Sequence, residues 1–171
     1  ALELALADGA GKTAEAAPVP DGKEHKRRLG DDYPLSLMLA DDNETNQRVA
    51  QLMLGKLGYT AETALNGLGV LAALERRAFD VVFLDIQMPE MDGLETARAV
   101  CKRWAGPQRP RLVAMTACAL PGDREQCLAA GMDEYITKPV QLRDIERVLR
   151  TAGEAKHPGS AAGGGAGASV A

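Results

Sequence analysis

The stretch Val81-Val82-Phe83-Leu84-Asp85 is the most continuous apolar run of the chain, and it ends at a carboxylate. A short apolar run bounded by polar residues is typical of a strand that is buried on both faces of a sheet. Residues 35–40 form a second run of this kind, which ends at Asp41-Asp42. The two runs predict buried strands that carry carboxylates at their C-terminal ends.

Strand-like and helix-like patterns alternate on either side of these runs. Further short runs lie at residues 60–64, 112–115 and 134–137, and segments with apolar residues at helical spacing separate them. Five strands that alternate with five helices predict an α/β fold with a parallel sheet covered on both faces. Right-handed crossovers favour a flavodoxin-like, doubly wound five-stranded sheet of order 2-1-3-4-5 with five surrounding helices. The apolar positions that indicate the first of these helices are Val49, Leu52, Met53 and Leu57.

The two ends of the chain differ in composition from the middle. Residues 152–171 contain seven Ala and six Gly, and residues 8–34 are rich in Gly, Ala, Pro and charged groups. Such segments bury too little apolar surface to offset the entropy of ordering. We therefore predict a mostly disordered linker over residues 1–34, a folded domain over 35–151 and a disordered tail over 152–171. The basic run at 23–28 is interpreted as solvated linker, with a binding patch as the alternative.

Composition argues against several classes of protein. The 171 residues include 20 basic and 24 acidic side chains, for a net charge of −4, and aromatic residues make up 4%. The absence of a basic stripe and the few aromatic side chains disfavour binding to nucleic acid or to a membrane surface. No segment resembles a membrane span or a signal peptide. Cys101, Cys118 and Cys127 lack metal-ligand spacing and indicate reduced thiols, so we expect a cytoplasmic domain.

Polar side chains follow four of the predicted strands directly. Asp41 and Asp42 follow the first strand, Asp85 the third, Thr116 the fourth and Lys138 the fifth. The C-terminal ends of parallel strands meet at one edge of the sheet, where ligands of open α/β sheets bind. Three carboxylates in one cleft repel each other unless a cation lies between them. Ligands that are all oxygen atoms favour Mg²⁺, with Mn²⁺ as the alternative, over zinc.

A metal site, a carboxylate, a lysine and a hydroxyl donor together indicate phosphoryl transfer, which depends on positioning and charge neutralisation. No Ser or Cys beside a His is available as the nucleophile, whereas a carboxylate can attack phosphorus. Asp85 is central in the predicted sheet and is the expected phosphoacceptor. Taken singly, Asp42 or Thr116 is better explained as a loop cap.

Four motifs stand at or near the predicted strand ends: LADDN (39–43), LDIQMPEMDG (84–93), AMTA (114–117) and AGMDEYITKP (130–139). Together they resemble the receiver domains of two-component signalling, and the resemblance covers residues 35–151. It implies that Asp85 is the phosphoacceptor and that Asp42 binds Mg²⁺ directly. It also implies that Asp41 binds the ion largely through water and that the backbone carbonyl of Gln87 completes the ligands.

The same resemblance assigns roles to residues of the fourth and fifth strands. Thr116 would donate a hydrogen bond to a phosphoryl oxygen, and Lys138 would form an ion pair with it. The peptide bond between Lys138 and Pro139 would be cis. Tyr135 matches the aromatic switch position of the family. The alternative for Tyr135 is the structural role of a half-buried strand aromatic.

The resemblance implies a place in a phosphorelay. The donor would be a phosphohistidine of a histidine kinase domain or of a histidine phosphotransfer protein, and the domain itself would catalyse only its own phosphorylation and dephosphorylation. Residues 41–47 and 85–93 look most like receivers at the C-terminus of hybrid sensor histidine kinases. The first Met is Met38, so the chain is expected to begin inside a larger kinase, which a membrane could anchor. The alternating run at 2–6 would then be the last strand of a preceding kinase domain.

Three alternatives come from other classes. A stand-alone, chemotaxis-like receiver would act by binding a partner and would begin near Ala1. An Mg²⁺-dependent phosphatase that uses an aspartyl phosphate normally requires a second Asp two residues after the nucleophile, where Gln87 stands. A nucleotide-binding domain requires a Gly-rich turn after the first strand, and residues 41–44 contain no Gly.

Overall fold

Strands and helices alternate along the chain from Leu37 to Lys156. The computed structural model describes residues 27–117 and 121–158, so Cys118, the run at 2–6 and most of the predicted linker and tail lie outside the described residues. None of the helices in the described part is long and apolar enough to cross a membrane. The strands are β1 (Leu37–Ala40), β2 (Ala61–Ala64), β3 (Val81–Asp85), β4 (Arg111–Thr116) and β5 (Glu134–Thr137). The helices are α1 (Leu29–Asp32), α2 (Glu44–Lys56), α3 (Gly67–Arg76), α4 (Gly93–Arg103), α5 (Pro121–Ala129) and α6 (Leu142–Lys156), with a 3-10 turn at Gly106–Gln108.

The five strands form one parallel sheet of order β2-β1-β3-β4-β5, which confirms the predicted topology. The register aligns the strand ends: Ala40 lies beside Leu84, and Leu84 lies beside Ala114. The residues that follow these three positions therefore lie at the same edge of the sheet. This edge carries the candidate site.

Two apolar cores cover the faces of the sheet. Every residue of β1 and β3 is buried, because both of their faces are covered. Burying one Leu or Val side chain stabilises the fold by roughly 1.5–3 kcal/mol, so these strands hold the sheet together. On one face α3, α4 and α5 pack on the sheet, and on the other face α1, α2 and α6 do so.

The folded part extends beyond the predicted domain at both ends. Helix α1 lies inside the predicted linker, and α6 continues to Lys156, inside the predicted tail. Leu29 and Tyr33 are buried, although the segment around them is polar in composition. Two bulky side chains hardly change the average composition of residues 8–34. The composition therefore predicted a linker although these side chains pack on the domain. The described residues therefore contain six α-helices rather than five.

Helix α2 forms where predicted, and Leu57 and Met53 pack on the core as expected, but the other two predicted apolar positions do not. Ala50 and Leu54 face the core, whereas Val49 and Leu52 are 45% and 66% exposed. Residues 50, 54 and 57 share one face at helical spacing, and Val49 and Leu52 lie to one side of it. The exposed pair leaves an apolar strip on the surface of α2.

Candidate functional site

The strand ends bring the predicted carboxylates and the lysine together. Asp41, Asp42 and Asp85 each offer an oxygen, and these oxygens all lie within 4.8 Å of one another. A cleft of about 450 Å³ opens beside them, and Asp42, Asp85, Thr116 and Lys138 line it. Asp41 and Asp85 are buried, whereas Asp42 is exposed on the cleft wall.

Lys138 connects three strands of the sheet. Its ammonium donates to Oδ2 of Asp41 at 2.9 Å and to Oδ2 of Asp85 at 2.8 Å. Its backbone N–H donates to the carbonyl of Thr116 at 2.7 Å. The Lys138–Pro139 peptide bond is cis, the isomer that the resemblance implies. The lysine therefore draws the carboxylates of β1 and β3 together from the end of β5.

Charges in this cluster shift the pKa values of two groups. Burial raises the pKa of the Asp85 carboxyl above its ordinary value, and the hydrogen bond and charge of Lys138 oppose this only in part. Burial alone would lower the pKa of Lys138, but its hydrogen bonds to Asp85 and Asp41 outweigh burial and raise that pKa. Lys138 therefore stays charged, but it does not fully offset the cost of burying the ionised carboxylate of Asp85. A further cation beside Asp85 would stabilise its ionised form.

The start of α2 holds Asp41 in place. The backbone N–H of Asn43 donates to Oδ1 of Asp41 at 2.9 Å, and the Asn46 side chain lies 3.2 and 3.3 Å from its two oxygens. Asn43 also caps the helix, because its side chain accepts from the N–H of Thr45. The buried side chain of Gln47 donates to the Asp41 carbonyl at 2.7 Å.

Asn46 and Gln47 were missed as site residues in the sequence. Both stand within the first turns of a helix that begins at a recognisable cap, Asn43. The first turns of α2 lie beside the end of β1, where Asn46 and Gln47 contact Asp41. Polar residues in those turns were the available signal for a supporting role beside Asp41.

The loop after β3 packs closely against the backbone of Asp85. The N–H of Gly93 donates to the Ile86 carbonyl at 3.1 Å, and a Cβ at Gly93 would overlap the carbonyl oxygen of Asp85. Asp92 caps α4 by accepting from the N–H of Glu95 at 2.7 Å. The loop therefore returns directly to α4 and holds the backbone of Asp85 against the start of that helix.

The donor set fits a hard divalent cation. All three candidate side-chain ligands are carboxylates, and the oxygen atoms lie close enough to share one ion. Gln87 lies on the cleft wall, and its N–H donates to Oδ1 of Asp85 at 3.2 Å. The described residues therefore include a cluster that could hold a metal ion where the sequence predicted one.

Tyr135 lies in a separate groove beside β5. Its ring is half-buried against the core, and the guanidinium carbon of Arg124 lies 5.8 Å from the ring centroid. The same groove is lined by Leu128 on α5 and Arg147 on α6. Tyr135 thus contacts the face formed by α5, β5 and α6, and it does not line the cleft.

Comparison with known proteins identifies the family. The sequence model described as response regulator receiver domain matches residues 37–150. Hybrid signal transduction histidine kinase G of Dictyostelium discoideum is 36% identical over 129 residues, which are 74% of this chain and 4% of that protein. The aerobic respiration control sensor protein ArcB of Escherichia coli K12 is 37% identical over 123 residues, which are 70% of this chain and 16% of that protein. The chain therefore spans only a small part of these relatives.

A solved structure agrees with this placement. It is the receiver domain of the sensor histidine kinase PA1611 from Pseudomonas aeruginosa PAO1, with a magnesium ion coordinated in its active-site cleft. That domain is 34% identical, has a TM-score of 0.62, and the match covers 68% of this chain and 95% of that one. From the matched motifs, the sheet order and the carboxylate cleft, the chain belongs to the response regulator receiver domain family, with the receiver regions of hybrid histidine kinases among its relatives.

Proposed function

We propose that Asp85 accepts a phosphoryl group from a phosphohistidine, with Mg²⁺ as the cofactor and Mn²⁺ as its alternative. The observation that carries the proposal is the Lys138 ammonium, which lies 2.8 Å from Asp85 and 2.9 Å from Asp41 in an open cleft. An ammonium in this position neutralises a carboxylate at rest and a phosphoryl oxygen after transfer. The carboxylate cluster supplies the metal ligands that such a transfer requires.

The chemistry needs one nucleophile and one leaving group. A carboxylate oxygen of Asp85 forms a bond to phosphorus while the P–N bond breaks, and its electron pair passes to the imidazole of the donor. Thr116 and Lys138 line the cleft and would bind oxygens of the transferred group. Asp41, Asp42, Asp85 and the backbone carbonyl of Gln87 would hold Mg²⁺, which supplies positive charge to the phosphoryl oxygens when it is bound.

Phosphotransfer from a phosphohistidine protein tests the assignment. We expect Asp85→Asn to abolish labelling, because an amide oxygen is a poor nucleophile, and we expect EDTA to abolish it in the wild type. Asp144→Asn is the matched control, since Asp144 lies in the first turn of α6 and does not line the cleft. Labelling of Asp85→Asn at the wild-type level would refute the site.

We further propose that the modified site acts on the face formed by α5, β5 and α6. Ala114, two residues before Thr116 on β4, pairs with Tyr135 on β5, so a shift of Thr116 lies next to the strand that carries the ring. Tyr135 lines an open groove together with Arg124 and Leu128, and this groove is where we expect a second position of the ring. Tyr135→Leu should retain phosphotransfer but lose the change that phosphorylation causes in amide exchange of β5.

We propose that the domain is part of a longer sensor histidine kinase. Relatives that match this chain over 70% or more of its length are named histidine kinases, which favours this placement over a stand-alone receiver. Phosphorylation by a kinase encoded upstream in the same reading frame would support the proposal, and a native start at Ala1 would overturn it.

The donor would approach over the start of α2. Asn43 and Asn46 line the cleft, and Val49 and Leu52 continue from them along the exposed side of the same helix. A partner that presents a phosphohistidine to Asp85 covers this rim, so we propose that an apolar surface around its histidine packs on Val49 and Leu52.

A further inference from the structure

The segment before β1 packs at the end of the domain opposite the cleft. Strands of a parallel sheet all run toward the cleft, and the helices between them run back, so α2 and α6 end on the far side. Residues 29–33, which we term the anchor segment, contact these two helix ends. Leu29 and Tyr33 in the segment are buried to 8% and 6% exposure, values typical of core residues.

One backbone hydrogen bond and the side chain of Tyr59 tie the anchor segment to the residues that follow α2. The N–H of Gly30 donates to the Leu57 carbonyl at 2.8 Å. The buried hydroxyl of Tyr59 lies 2.7 Å from the Tyr33 carbonyl and 3.2 Å from the Leu29 carbonyl. A hydroxyl has one proton, so it donates mainly to the nearer carbonyl of Tyr33. The segment is thus held by polar contacts at both of its ends.

The surface of α6 is shaped to receive the anchor segment. Gly153 lies in the last turns of α6, and a Cβ at this position would overlap the ring of Tyr33. A Gly inside a helix costs about 1 kcal/mol relative to Ala. The helix has this destabilising Gly at the position where the Tyr33 ring packs on its backbone. A loosely attached linker would not require a Gly there.

We propose that residues 29–33 anchor the chain that precedes the receiver to the ends of α2 and α6, away from Asp85. The functional domain then begins at Leu29 rather than at β1. The anchor segment lies on the side of the domain opposite the cleft, away from the rim around Asp42 and Asn46. The anchor does not depend on the phosphotransfer chemistry.

Amide hydrogen exchange of the full 171-residue chain tests the anchor. In the wild type we expect the amides of Gly30 and Tyr33 to exchange at least about 100-fold more slowly than unprotected amides. Gly153→Leu should abolish most of this protection by displacing the Tyr33 ring. Tyr59→Phe should lower it about tenfold, because one hydrogen bond is lost. The amides of β3 report whether the domain remains folded.

Gly55→Ala is the matched control, because Gly55 lies in α2 and nothing lies within 4 Å of a Cβ there. It should leave the exchange of residues 29–33 unchanged. Exchange of Gly30 and Tyr33 at unprotected rates in the wild type would overturn the anchor. So would full protection of these amides in Tyr59→Phe, which decides the matter if Gly153→Leu does not fold. No readout requires a phosphoryl donor, so failure of the anchor and failure of the phosphoacceptor assignment are separable.

Discussion

The buried phenol of Tyr59 should make the stability of the domain fall steeply in alkaline solution. Burial raises the pKa of this hydroxyl from 10.0 to about 12, and the nearby negative charge of Asp32 adds to the effect, while Arg150 opposes it. The folded state therefore holds the proton more tightly than the unfolded chain. The corresponding stability is fully present below about pH 10 and is lost as the pH rises through about 12.

The size of this loss follows from the shift. Two pKa units correspond to about 3 kcal/mol at full titration, and about 2 kcal/mol of this is lost by about pH 11.5. Tyr59→Phe removes the titrating group and the donor to the Tyr33 carbonyl, whereas the Leu29 carbonyl still accepts from the N–H of Tyr33. At about pH 8 the variant should be less stable than the wild type by about 1–2 kcal/mol.

Urea unfolding of both proteins between about pH 8 and pH 11.5 measures the effect. All other titratable groups are the same in the two proteins, so their contributions cancel in the difference. We expect the advantage of the wild type to shrink with pH and to vanish or reverse near pH 11.5. A difference that stays constant across this range would refute the assignment of the buried donor.

Three further results are expected. Leu52→Glu places a charge in the proposed apolar contact and should lower phosphotransfer from a phosphohistidine protein at least about tenfold. Labelling by a small phosphodonor such as acetyl phosphate should stay unchanged. Equal effects on both donors would exclude a docking role for Leu52. Gly93→Ala should destabilise the domain by about 1–3 kcal/mol in thermal unfolding and slow phosphotransfer, because the added Cβ overlaps the Asp85 carbonyl. A stable and fully active variant would contradict the close packing described above. Without Mg²⁺, Lys138→Met should lower the free energy of unfolding by about 1–3 kcal/mol, a figure reduced because the lysine side chain is 22% exposed. Added Mg²⁺ should stabilise this variant more than the wild type. An unchanged unfolding midpoint without Mg²⁺ would show that the ammonium contributes no stability at rest.

The order of elements and the site at the strand ends could be predicted because both depend on local pattern. The run that ends at Asp85 has apolar side chains on both faces of the strand, and these are all buried only if both sides of the strand are covered. Right-handed crossovers then restrict the topology. The meeting of the carboxylates that follow β1 and end β3 can therefore be predicted without knowledge of long-range contacts.

The rest depended on packing that no local pattern records. The buried face of α2 is set by how the helix rests on β1, so Val49 and Leu52 looked like core residues and are exposed. The anchor segment depends on a fit between Tyr33 and Gly153, which are 120 residues apart in the chain. Neither partner has a sequence signature by itself.

The Lys138 bridge has a consequence for how far an electrical signal can reach. Three ionised carboxylates and one ammonium leave the resting cleft with a formal charge of −2. A bound dication would bring this total to zero, and conversion of Asp85 to an acyl phosphate would return it to about −1. Salt screens a change of one unit within about 8 Å only along paths through solvent, and a buried charge such as that of Asp85 is screened much less. Through the interior the change reaches further, and the hydrogen bond from the Lys138 N–H to the Thr116 carbonyl lies beside it, at the ends of β4 and β5.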